Sequence, residues 1–196
     1  MSLRSAAALI CTLTLVLASS GCSSDDSAAP GGSGASAGSG TGSGEFPELA
    51  TTASLGKVTG VLGKPVKSQI KKRITSVVDD WLDAAYVAGK YPRSDFTAAF
   101  PHFTRGATQR ARNDDDLMSN ATIGARIDSV RAMNRQLKID VLAVGRRPVA
   151  VTARVVLGMQ VEGEISRRER VAGSLYLTYG SGGWQVFGYD MTRGIV

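Results

Sequence analysis

Val149-Ala150-Val151-Thr152-Ala153-Arg154-Val155-Val156-Leu157-Gly158-Met159-Gln160-Val161 has an apolar residue at every odd position, while Thr152, Arg154 and Gln160 fall on even ones. Successive side chains of a strand point to opposite faces, so this period of two describes a strand half-buried against a core. The same parity runs upstream through Met133, Leu137, Ile139, Val141 and Ala143, with Arg135 as the exception. Gly145-Arg146-Arg147-Pro148 between the two runs has the composition of a turn. Downstream, Glu162-Gly163-Glu164 breaks the run, Val171, Leu175, Leu177 and Tyr179 mark a third strand, and Gly180-Ser181-Gly182-Gly183 reads as the loop into a fourth over residues 184–189. Four such segments with short turns predict an antiparallel meander with one apolar face.

That face needs a cover. Pro65 opens a helical pattern in which Val66, Ile70, Ile74, Val77, Val78, Trp81, Leu82 and Ala85 recur at spacings of three and four, while Lys67, Lys71, Lys72, Asp79, Asp80 and Asp83 fall between them. The spacing predicts an amphipathic helix over 66–88, stopped by Gly89 and Pro92. A second, more polar helix is expected over about 104–117. The fold class read from the chain is α+β, with helices first in the sequence and packed on a curled four-stranded sheet.

The N-terminal quarter has a different character. Arg4 precedes an uncharged, mostly apolar run over 6–18, which has the length of a signal-peptide core and is short of the roughly 20 residues a spanning helix needs. Ser19-Ser20-Gly21-Cys22 follows, and small residues just before a cysteine resemble the lipobox of bacterial lipoproteins, although Ser19 stands where leucine is usual and Leu17 lies two residues earlier. The resemblance implies cleavage after residue 21 and acylation, as by palmitate, of Cys22. Residues 23–44 are almost all Ser, Gly and Ala and cannot bury a core, so a disordered tether is expected over 22–48. Such a coil reaches on the order of 25–30 Å. The organisation expected is thus a signal peptide over 1–21, a tether over 22–48 and one domain over 49–196. The implied location is the extracytoplasmic face of the cell membrane, held by lipid. The other cysteine, Cys11, falls within the signal peptide, so the mature domain has no thiol to pair.

From Thr51 onward 22 Lys and Arg stand against 13 Asp and Glu, a net of +9 within a chain of net +6. The folded part is therefore the basic part, which favours anionic partners such as lipid headgroups or acidic envelope components. Export argues against nucleic acid. Arg146 and Arg147, with Arg167, Arg168 and Arg170, are expected to form a basic contact rim at adjacent hairpin ends.

Helices followed by a long antiparallel sheet ending in Gly182-Gly183-Trp184-Gln185-Val186 is an element order that resembles the NTF2-like (SnoaL-like) cone fold, and in particular Mce-associated proteins and similar lipoproteins. The resemblance spans about 65–196. It implies a curled sheet around a cone, a fold shared by enzymes, carriers and scaffolds, so it does not name a function.

Catalytic signals are weak. His102, the only histidine, lies in an aromatic patch with Phe96, Phe100 and Phe103 and has no partner nameable from sequence. Asp114-Asp115-Asp116 lacks the alternating spacing of a calcium loop, and Asp79 with Asp83 reads as a solvated pair facing away from the apolar stripe. Inward positions are almost all aliphatic, which suits packing or an apolar ligand better than acid–base chemistry. Neither a metal nor a cofactor is expected, nor is catalysis. The expected role is a non-catalytic accessory or interaction module of the cell envelope, with a small-ligand carrier and a SnoaL-like isomerase or hydrolase as alternatives.

Overall fold

The structure is a computed structural model that describes residues 49–196. The expected signal peptide, lipid attachment at Cys22 and tether over 22–48 lie outside the described residues.

Five strands form one open sheet in the order β1-β2-β3-β4-β5: β1 (Thr52–Thr59), β2 (Ile127–Val144), β3 (Arg147–Gly163), β4 (Arg167–Gly180) and β5 (Gly183–Ile195). The last four are the expected meander. Gly145 (φ 55) and Arg146 (φ 64) make a two-residue turn with positive φ at both positions, which fits the right-handed twist of the flanking strands. The expectation of a purely antiparallel four-stranded sheet is corrected by β1, which pairs in parallel with β2 from Thr52↔Gln136 to Thr59↔Leu142. Its register shifts between Leu55 and Val58, so Ala53 and Leu55 alternate but Val58 falls out of phase. Eight residues interrupted by Gly56-Lys57 carry too little periodicity to declare a strand.

α1 (Lys64–Leu82) is the amphipathic helix read from the spacing, with Pro at its start; it continues as a π-helical turn over Asp83–Val87. The second expected helix is divided at Asp114 into α2 (Arg105–Asn113), whose N-cap Thr104 accepts from the Ala107 amide, and the single turn α3 (Asp115–Met118).

The core lies between α1 and the inner face of the sheet. Ile74, Val78, Trp81 and Leu82 from α1 and Leu137, Ile139, Val155, Leu157, Leu175 and Leu177 from the strands are all at most 2% exposed. Phe103 tilts against Trp81 at 6.1 Å and Tyr86 meets it edge-on at 5.6 Å.

Two inward assignments change. A register shift between Ala132 and Asn134 reverses the parity of β2, so Val130 and Ala132 pack on the core and Met133 faces out. Beyond the shift Arg135 is in phase with Leu137 and faces inward, only 3% exposed.

Candidate functional site

Arg135 lines the inner face among aliphatic neighbours, and its charge is answered from the helix. Its Nη2 lies 2.9 Å from Asp83 Oδ1 and 3.6 Å from Asp79 Oδ1. Thr51, just ahead of β1, donates to the same Asp79 oxygen at 2.5 Å. Asp79 and Asp83 therefore do not face away as a solvated pair. One helical turn apart, they clasp a cation that would be costly to bury alone.

A second buried charge, Glu169, is 1% exposed in β4. Arg167 donates to its Oε1 at 2.6 Å and Arg193 to its Oε2 at 2.6 Å. Arg193 also donates to the Asp116 and Ser119 carbonyl oxygens and to Asn120 Oδ1. Asn120 in turn donates to the Tyr86 carbonyl and the Tyr91 hydroxyl, joining β4, β5, α3 and the π-helical turn in one network. Burial pushes the phenols of Tyr86 and Tyr91 above the ordinary tyrosine range. Asn120 is the acceptor of the Asn120-Ala121-Thr122 sequon, and its burial and bonding close it to modification.

The remaining sequence candidates are on the surface. His102 has a partner that sequence could not name: its Nε2 is 2.8 Å from Asp80 Oδ2, with both side chains 40% or more exposed. The acidic run is divided by the break between α2 and α3, and Asp114 accepts from the Tyr189 hydroxyl at 2.6 Å. Burial, and then the neighbouring Asp114, raise the Tyr189 phenol. Among the described residues no group of His, Cys, Asp and Glu is arranged to hold a metal ion, and no helix is long and apolar enough to cross a membrane.

The five arginines do not make one rim. Arg146 and Arg147 sit at the β2–β3 turn, whereas Val161 pairs with Arg167 at the other end of the β3–β4 ladder. The fourteen steps from Arg147 to Val161 span roughly 45 Å of strand. Arg167 is moreover committed to Glu169. The two hairpins share a strand but lie at its opposite ends.

At the Arg147 end a cleft of about 340 Å³ opens between the first turns of α1 and the sheet. Val66 and Ile70 form its helix wall, and Pro148, Tyr179 and Trp184 its sheet wall. Gln69, Arg73 and Arg147 also line it. Tyr179 and Trp184 are cross-strand partners in edge-on contact at 5.5 Å. A comparable cleft at the opposite end, about 300 Å³, is lined by Arg167, Glu169 and Arg193, whose charges are already spent on one another. Periodicity does not mark the first cleft, because its residues come from α1 and two separate hairpins; of them only Arg147 is a site candidate in the sequence.

No family model matches the chain, and no curated protein or solved structure is significantly similar to it.

Proposed function

We propose that this chain is a bacterial lipoprotein, held by lipid on Cys22 at the extracytoplasmic face of the cell membrane, whose NTF2-like domain serves as a non-catalytic interaction module. The anchor rests on the apolar run over 6–18 followed by Ser19-Ser20-Gly21-Cys22. The non-catalytic reading is supported by one observation: beneath α1 the inner face of the sheet is filled by its own side chains, and among the described residues the two buried charges, Arg135 and Glu169, are engaged by Asp83, Arg167 and Arg193. A general acid or base must meet substrate, and a charge buried in an ion pair does not.

Metabolic labelling with a palmitate analogue tests the anchor. The wild-type chain takes up label and sediments with membranes, and Cys22→Ala does neither; equal labelling and fractionation of the two would refute it. Native solubilisation from those membranes tests the module. Elution in a discrete assembly with another envelope component is expected, and elution as a lone chain would remove the interaction role.

A further inference from the structure

The inner face of the sheet is longer than the helix laid across it. At about 3.3 Å per residue β3 extends roughly 55 Å, while the nineteen residues of α1 rise about 28 Å. Where β2 turns into β3 and β4 into β5, the inner row of side chains lies beside the first turns of α1 and becomes exposed. Tyr179 pairs with Trp184, and extending the β3–β4 register by one step from Ala150↔Thr178 brings Val149 opposite Tyr179. Across this row Trp184 on β5 is 5% exposed, Tyr179 on β4 56% and Val149 on β3 38%. The row forms one side of the 340 Å³ cleft and continues beyond it.

The charge around this apolar row has one sign. Among the described residues no lining residue is acidic, and neither Arg73 nor Arg147 is engaged in an ion pair or a side-chain hydrogen bond. Arg146 adds a third cation at the turn, and Asp80, seven residues beyond Arg73 on α1 and so about 10 Å along the axis, is occupied by His102. Unpaired guanidinium groups beside an aromatic wall are complementary to an anion carried on an apolar body, because the planar fork matches a carboxylate or phosphate. The volume is at the small end of the roughly 300–1,000 Å³ range for ligand sites, which suits one chain rather than two.

We propose that this cleft binds a single-chain lipid anion, its carboxylate or phosphate held by Arg73 and Arg147 and its chain laid along Trp184 and Tyr179 toward Val149. The proposal concerns the domain and is independent of the anchor at Cys22, so either can fail without the other.

The test uses the full-length chain carrying Cys22→Ser, so that no covalent acyl group can compete. Bromine quenches indole fluorescence on contact, and of the two tryptophans Trp81 is sealed in the core while Trp184 lines the cleft. Dibromostearate and a brominated lysophosphatidic acid, both kept below micelle formation, are expected to quench saturably. Trp184→Phe should abolish the quenching. The uncharged methyl ester of dibromostearate should bind at least tenfold more weakly to the unaltered chain, a comparison that needs no folded variant. Arg73→Gln with Arg147→Gln should cost at least tenfold, whereas Arg168→Gln with Arg170→Gln, at the far end, should cost nothing. Vesicles of brominated phosphatidylglycerol distinguish the sources: quenching by monomers and vesicles alike marks the leaflet as a supplier, and quenching by monomers alone marks a free amphiphile. Equal binding of ester and acid, or no saturable quenching by monomers, overturns the proposal. Quenching by vesicles alone replaces it with a bilayer-docking face, and displacement of the probe by an acidic peptide at equal or better affinity replaces it with a peptide site.

Discussion

Arg135 Nη2 lies 2.9 Å from Asp83 Oδ1, joining the inner face of β2 to the end of α1. The two ends of this bond differ in setting: the Arg135 side chain is 2% exposed and that of Asp83 26%. The cation is therefore the member removed from water, and the carboxylates of Asp79 and Asp83 keep partial access to it. Helix docking here combines the apolar contact of Ile74, Val78 and Trp81 with one charge that must be matched.

That asymmetry orders the substitutions. Asp79→Asn with Asp83→Asn takes two carboxylates from a buried guanidinium and is expected to cost about 3–5 kcal/mol. Arg135→Met removes the buried charge, fills the space with apolar volume and is expected to cost less. Urea unfolding of both variants measures the order. A loss under about 1 kcal/mol for the Asn pair, or a larger loss for Arg135→Met, would show that the ion pair does not govern docking.

Glu169 gives the opposite case, a buried anion between two cations. Glu169→Ala strands Arg193, whose side chain is 10% exposed, and is expected to cost about 3–5 kcal/mol. Arg167→Gln removes a partner 36% exposed, while Arg193 stays in place, and should cost about 1 kcal/mol or less. Equal losses at both positions would mean that Arg167 contributes more than its exposure suggests.

The helix and the last four strands were legible because burial writes a period into a single segment. α1 repeats Ile70, Ile74, Val77, Val78 and Trp81, and β3 repeats its odd residues from Val151 to Val161. What stayed hidden depends on pairing between distant segments. Met133 reads as inward because a register shift leaves no mark in composition, while Arg135 keeps the inward parity of Leu137 and is disguised by its charge. Asp79 and Asp83 look solvated until β2 is laid beside α1. The arginines of two hairpins looked adjacent because both hairpins end β3, yet the strand separates them by its whole length. The cleft could not be read at all, since it is assembled from the first turns of α1 and the ends of two separate hairpins.

His102 has φ 60, a left-handed conformation that costs a non-glycine residue about 1 kcal/mol or more. Its exposed pairing with Asp80 is worth roughly 0.2–1 kcal/mol. His102→Gly removes both at once, so its stability should stay within about 1 kcal/mol of the wild type, and His102→Gln should cost no more than that. Thermal unfolding with and without the lipid probe checks both parts. A loss above 2 kcal/mol in the glycine variant, or a hundredfold loss of binding without unfolding, would give the histidine a role that its exposed geometry does not.

Alkaline pH should probe the phenols. Tyr86 and Tyr91 are raised by burial from the ordinary value of 10.0, and Tyr189 is raised by burial and by its bond to Asp114, where a phenolate would face a carboxylate. A group whose pKa is higher in the folded than in the unfolded chain contributes stability that is fully present below the unfolded value and is lost as pH climbs toward the folded one. Stability from these residues should therefore hold up to about pH 10 and then fall. Each proton released only on unfolding contributes about 1.4 kcal/mol per pH unit, so Tyr86 and Tyr91 together give a slope of about 3 kcal/mol per pH unit. Following the phenolate absorbance alongside circular dichroism separates native titration from unfolding: the signal of these residues should appear in one step with the loss of structure. Tyr189→Phe should shrink that step while leaving the unfolding pH nearly in place, because this phenol is the most exposed of the three. If Tyr86 and Tyr91 instead ionise near pH 10 in a chain that is still folded, the buried network around Asn120 and Arg193 is open to water, and the closed inner face on which the non-catalytic reading depends is open with it.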